Sequence, residues 1–211
     1  AARGGRRAWV RAEDFPSDLE IRDELRRGDE LLVTSQSESP ADFEAARFLR
    51  YRSLLEPLAH VLQPRDRHPE GDALYHSLQV YALARDASPW DEELQLGALL
   101  HDVGKGIDPL EPSTAGLQAV ADWVTSRTAW FIENHADAQR VHAGTIGQRA
   151  LRRLREHEDF EALLLLARCD RAGRVPGAAA PDLDAALREI AALARLCEDF
   201  DEDPTRTAFE V

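Results

Sequence analysis

The chain has 211 residues, 44% of them hydrophobic and 31% charged, which suits one globular domain with additions or at most two small ones. Thirty-nine acidic residues against 26 basic ones give a net charge of −13, a sign that disfavours a wide footprint on a nucleic-acid backbone. No apolar run approaches the roughly 18 residues of a membrane span, and no apolar stretch follows Arg3, Arg6 and Arg7 as a secretory signal would need, so a membrane protein is not expected.

The elements read as a string of helices. Ser17-x-x-Glu20 is a capping box, and it opens a helix that Gly28 closes. Residues 31–37 suggest a short extended piece. Ser39, Pro40 and Asp42 start a second helix, whose apolar face is Phe43, Phe48, Leu49, Leu54 and Leu55 until Pro57 ends it. Residues 63–72 carry two prolines, a glycine and five charges and form a loop; solvation is the default for its Glu70 and Asp72, although both can face a cleft mouth. A helix follows over Ala73 to Arg85, then one capped by Ser88 and Asp91 that ends near Val103. Helices are next expected from Ser113 or Thr114 to Val124 and from Thr125 or Ser126 to about His135. Two more lie near 143–157 and 159–172, and a last one runs from Pro181 and Asp182 to about Phe200. No alternating runs of useful length appear, so the fold is expected to be all-α. Residues 1–39 read as an N-terminal extension, 40–200 as the helical domain and 201–211 as an acidic tail.

Cys169 and Cys197 lie in separate apolar stretches without a C-x-x-C pair, which predicts reduced, buried thiols of a cytoplasmic protein. Methionine is absent, so Ala1 is expected to be a processed end. Two basic clusters, Arg3 to Arg11 and Arg149 to Arg155, read as solvated surface rather than a nucleic-acid patch. Among 26 basic residues there is one lysine, Lys105. A coding bias towards arginine explains most of that, and the exception sits where a compact ammonium is needed rather than a planar guanidinium.

The histidines are not equivalent. His76 lies inside a helix, His101 and Asp102 adjoin at the end of a very apolar one (GALLHDVGKG), and Asp170 ends another (ALLLLARCDRAGR). Burying such groups behind leucines is expensive without a partner. The economical solution is convergence of His76, His101, Asp102 and Asp170 on one divalent cation in the bundle core. For any one of them alone, a hydrogen-bonded core histidine or a helix-end charge is the ordinary alternative. Two imidazoles and two carboxylates accept manganese, iron, cobalt, nickel, zinc or magnesium. Such an ion acidifies water towards neutral pH, with Asp102 or Asp170 placed to orient that water or take its proton. Lys105 can reach back to the same helix end as a point charge for a phosphoryl group, or simply offset the helix dipole. Arg171 and Arg174 can clamp a phosphate or solvate the helix end.

The order His76, His101-Asp102, Asp170 resembles the HD superfamily of metal-dependent phosphohydrolases, and LLHDVGKG is its most specific piece. Within that superfamily the pattern is similar to the HD domain of bacterial CCA-adding tRNA nucleotidyltransferases, through HPEGD (His68 to Asp72) and ARCDRAGR (Ala167 to Arg174). The resemblance covers about residues 63–175, and the nucleotidyltransferase head has no counterpart. It implies an HD-type helical bundle with a helical N-terminal extension and a C-terminal helix, and His76, His101, Asp102 and Asp170 as metal ligands. It also implies a hydrolase acting on a phosphomonoester, a cyclic phosphodiester or a nucleotide. The segment ending in His135 resembles a later family helix, which implies a phosphate or second-metal role for His135. His142 is a further candidate for a second metal. His60, His68 and His157 are expected to be structural or surface groups, with His68 at the pocket edge. The expected partner is a small, nucleotide-like phosphorylated substrate. Two other classes remain open: a non-catalytic nucleotide- or RNA-binding module that keeps the fold, and an HD-like di-iron oxygenase, for which His135 and His142 are the spare histidines.

Overall fold

The computed structural model describes residues 40–201, with the side chains of 42–197. Among these are eight α-helices: α1 Pro40–Leu55, α2 Ala73–Ala87, α3 Glu92–Leu100, α4 Pro112–Val120, α5 Ser126–His142, α6 Gln148–Arg155, α7 Phe160–Ala172 and α8 Leu183–Asp201. Two 3₁₀ turns, Glu56–His60 and Val103–Gly106, follow α1 and α3. The described residues contain no strand, only an isolated antiparallel bridge between Leu62 and Asp72. The all-α expectation holds. No described helix is long and apolar enough to cross a membrane. The helix expected from Ser17 to Gly28, the extended piece at 31–37 and the acidic tail beyond Asp201 lie outside the described residues.

Helix α3 is the hub, because all seven residues from Leu94 to Leu100 are buried. A short helix that is buried on every side must be wrapped by others. Leu96, Leu99 and Leu100 join Tyr51, Leu55, Leu58, Leu78, Tyr81 and Ile190 in one apolar cluster. Leu94 and Ala98 join Val80, Phe131, Leu154, Leu163 and Leu166 in another. Each such side chain contributes about 1.5–3 kcal/mol on burial. Asp91 caps α3 by accepting from Leu94 N at 3.0 Å, and Asp72 caps α2 by accepting from Tyr75 N at 2.8 Å. Asp72 therefore has a capping task rather than the solvated loop position expected of it. The loop before it closes on itself: Gln63 N donates to Gly71 O at 2.9 Å and Ala73 N to Val61 O at 3.0 Å.

After α3 the chain tightens into the Val103–Gly106 turn, against which α4 packs backbone to backbone. A Cβ on Gly104 would fall 1.7 Å from Pro112 O, so only glycine fits. This contact anchors the turn directly after the His101-Asp102 doublet.

Several boundaries differ from the sequence reading. Helix α3 ends at Leu100 rather than near Val103, and α4 ends at Val120 rather than Val124. Helix α5 runs past His135 to His142, and α6 starts at Gln148 rather than 143. Leu49 and Phe43, placed on the apolar face of α1, are 66% and 45% exposed, while Tyr51 takes the inward position with its hydroxyl donating to Trp123 O. Cys169 is buried as expected, but Cys197 is exposed.

Candidate metal centre

Four helices deliver polar side chains to one place between the apolar clusters. His76 comes from the first turn of α2, His101 and Asp102 from the end of α3, His135 from α5 and Asp170 from the last turn of α7. His101 keeps helical dihedrals (φ −55°, ψ −30°), and Asp102 departs from them (φ −105°, ψ 6°), so the helix ends within the doublet. The surroundings are dry: His76, His101, Asp102 and Asp170 are all at most 5% exposed.

Three imidazoles are held by their Nδ1 atoms. His76 Nδ1 donates to Gly173 O at 3.1 Å, His101 Nδ1 to Ala98 O at 2.8 Å and His135 Nδ1 to Ile132 O at 2.7 Å. A carbonyl only accepts, so each Nδ1 carries a proton and each ring turns its Nε2 inward. Those Nε2 atoms face carboxylates, and that of His76 is hydrogen-bonded to Asp170 Oδ1. His76 Nε2 lies 3.1 Å from Asp170 Oδ1, and His101 Nε2 lies 3.3 Å from Asp102 Oδ2. His76 Nε2 and His135 Nε2 are each 4.0 Å from an Asp102 oxygen. Despite its proximity to Asp102, His101 Nε2 is buried and lacks any aligned hydrogen bond.

Cationic groups close the rest of the shell. Lys105 Nζ donates to Asp102 Oδ2 at 2.6 Å and to Gln63 Oε1 at 2.6 Å. Arg174 Nη2 donates to Asp170 Oδ1 at 2.8 Å, and Gln139 Nε2 to Asp170 Oδ2 at 2.5 Å. On the Nδ1 side of His76, Glu70 Oε1 sits 2.9 Å from both His76 Nδ1 and His68 Nδ1, with the Glu70 side chain wholly covered.

The electrostatics follow from this crowding. Burial raises the carboxyl pKa of Asp102, but His101, Lys105 and His135 outweigh it and hold the group well below its ordinary range. Asp170 is likewise depressed: burial opposes ionisation, and His76, His101 and Arg174 overcome it. Burial works against a charged His101, yet Asp102 and Asp170 leave its pKa raised. His135 is lowered, by burial first and then by the nearby His101. His68 is lowered mainly by burial, against the pull of Glu70.

Every member of the quartet read from the sequence is in this cluster, together with Lys105, His135 and Arg174. Arg171 and His142 are exposed on their helices, and so is His60. His157 stacks on Trp130 with ring centroids 3.8 Å apart, a structural role as expected. The expectation of a solvated Glu70 is corrected: its side chain is covered, and it ties the partly exposed His68 to His76. The sequence reading missed Gln63 and Gln139 altogether. Neutral amides carry no motif, although Gln139 falls one helical turn after His135 and was hidden by ending α5 too early.

Among the described residues, two sets of ligand atoms lie within 4.8 Å of one another: His76, His101 and Asp102, and His68, Glu70 and His76. Residues 73–174 match the family described as the HD domain. Over that segment the chain is similar to HD domains. HD domains bind divalent metals and suggest metal-dependent phosphohydrolase activity in general, and His76, His101 and Asp102 are grouped closely enough to hold such an ion. Two imidazole Nε2 atoms and two carboxylates converge in a dry site, a donor set that a proton or a divalent cation placed between them satisfies. Metal bonds of about 2.0–2.2 Å also set neighbouring donor atoms roughly 3.0–3.5 Å apart, the spacing seen for both nitrogen–oxygen pairs.

Proposed function

We propose that this protein is a metal-dependent phosphohydrolase cleaving a phosphomonoester, a cyclic phosphodiester or a small nucleotide. His76, His101, Asp102 and Asp170 would hold the ion, and Lys105, His135 and Arg174 would serve the substrate. The observation that carries the reading is the buried, unpartnered Nε2 of His101 facing Asp102 while Ala98 O fixes its Nδ1 proton. A buried Nε2 without an aligned bond, on a ring whose orientation is fixed through Nδ1, is what a ligand requires.

When bound, a divalent ion supplies Lewis acidity to a phosphoryl oxygen and to water. The chain's own groups account for the rest. The Nδ1 bonds to Gly173 O and Ala98 O preset the tautomer and orientation of His76 and His101, so little reorganisation is needed. Lys105 spends two of its three N–H donors on Asp102 and Gln63, which leaves one for a phosphoryl oxygen beside the doublet. Arg174 holds Asp170 through Nη2, and its buried Nε has no partner. These two fixed cations favour the charge that develops on a transferred phosphoryl group. His135, held neutral by burial, presents Nε2 towards Asp102 and suits the transfer of a proton to or from the reacting oxygen. A cationic rim on a body of net charge −13 favours a small anion over an extended nucleic acid.

The test is a substrate screen of the metal-loaded protein against 4-nitrophenyl phosphate, nucleoside 5′-monophosphates and 2′,3′-cyclic nucleotides. At least one class should turn over, and Lys105→Ala should lose most of that rate. Absence of turnover on all three with metal bound contradicts the proposal.

A further inference from the structure

Asp170 is the proposed ligand contributed by the last turn of α7. Its carboxylate is restrained from both sides. Oδ1 accepts from Arg174, which belongs to the same chain segment. Oδ2 accepts from Gln139 of α5, and the second N–H of that amide is spent on Ala167 O of α7 at 3.0 Å. Both acceptors can only accept, which fixes the amide orientation: nitrogen towards α7. Gln139 therefore references the carboxylate to the backbone of its own helix and to a neighbouring one at once. One turn earlier on α5, His135 faces the Asp102 side of the cluster. A single helix face thus spans the distance between the two carboxylates.

We infer that Gln139 is a positioning residue of the metal centre, holding the Asp170 carboxylate in the orientation from which it binds the ion. The inference rests on the metal-centre reading above. An amide suits the task better than an acid or a cation. A carboxylate would repel Asp170 in a dry site, and a second cation beside Arg174 would compete with the ion for its ligand. The methylene stem also lets the group reach α7 without adding charge. Glu70 is the obvious rival for such a role, but the Nδ1 proton of His76 is aligned with Gly173 O rather than with Glu70, so the carboxylate contact there adds no directional bond.

The experiment is a Mn²⁺ titration of the full chain by calorimetry, comparing wild type with Gln139→Met, which keeps length and volume but removes both donors. The variant should bind about 10–100-fold more weakly. Activity should return when Mn²⁺ is raised in proportion, with KM for the substrate unchanged. A merely structural residue would instead lower the melting temperature and leave metal affinity alone. Equal affinity in wild type and variant overturns the inference while leaving the metal centre standing. A wild type that binds no ion overturns the centre and this inference together. If Gln139→Met does not fold, Gln139→Ala removes the same donors and is read by the same criteria.

Discussion

Replacing Gly104 by alanine should displace the turn that carries the site. The new Cβ would stand 1.7 Å from Pro112 O, 2.6 Å from Pro112 C and 2.7 Å from Gly116 N. Non-bonded heavy atoms sit comfortably at about 3.5–4.0 Å, so α4 or the turn must yield by roughly 2 Å. All three obstacles are backbone atoms, and no rotamer change relieves them. Overpacking a core costs about 1–3 kcal/mol when side chains can adjust; here the expectation is about 3 kcal/mol or more. At about 2–4 °C per kcal/mol for a chain of this size, the melting temperature should fall by roughly 6–12 °C. Because Asp102 lies two residues before Gly104, Mn²⁺ affinity should fall as well. Gly106→Ala is the control, since its Cβ would meet only the end of Leu58 at 3.2 Å and Pro57 Cβ at 3.8 Å. That change should cost less than about 1 kcal/mol. Thermal unfolding followed by circular dichroism decides the matter: equal melting temperatures for the two variants would refute the packing argument.

Lys105→Ala should cost about 3 kcal/mol in the barrier, or roughly 10²–10³ in rate, with Lys105→Arg failing to restore it because a planar fork cannot replace a point charge between Asp102 and Gln63; steady-state kinetics with the best screened phosphoester would show this. Metal affinity should rise with pH through and above the ordinary imidazole range, because the raised pKa of His101 obliges the ion to displace a proton that leaves more readily as pH increases; Mn²⁺ titrations that are flat or weaken with pH would contradict the assignment. Away from the site, Arg127 binds Asp91 through two bonds of 2.6 and 2.8 Å, and also Glu93 at 3.0 Å and Asp159 at 2.6 Å. Arg127→Ala leaves three partly buried carboxylates facing each other and should destabilise the protein by about 2 kcal/mol, measurable by urea unfolding at unchanged metal affinity.

Much of the centre was legible in the amino-acid pattern because its residues are costly where they stand. A histidine and an aspartate after paired leucines, and another aspartate after LLLL, are hard to explain without convergence, and the structure brings them together. The all-α reading held for a similar reason, since helix caps such as Asp91 and Thr125 have local chemistry that survives in the fold. What stayed hidden depends on tertiary contacts. Nothing local ends or extends α5 at His135, and burial of its continuation against α7 carries it on to His142. Gln63 and Gln139 are ordinary surface residues until a loop closure and a helix crossing bring them to Lys105 and Asp170. Glu70 reads as a solvated loop acid because loop positions usually are, and only the closed 63–72 turn reveals that it is covered. The requirement for glycine at 104, contact with the backbone of α4, is invisible until both segments are placed.

The most direct test of the centre is the metal stoichiometry of the purified chain after saturation with Mn²⁺ and desalting, read by elemental analysis for wild type and Asp102→Ala side by side. Wild type should retain at least one ion per chain, and the variant, still helical by circular dichroism, should retain none. An Asp102→Ala protein that keeps the wild-type ion content would show that the doublet does not hold the metal.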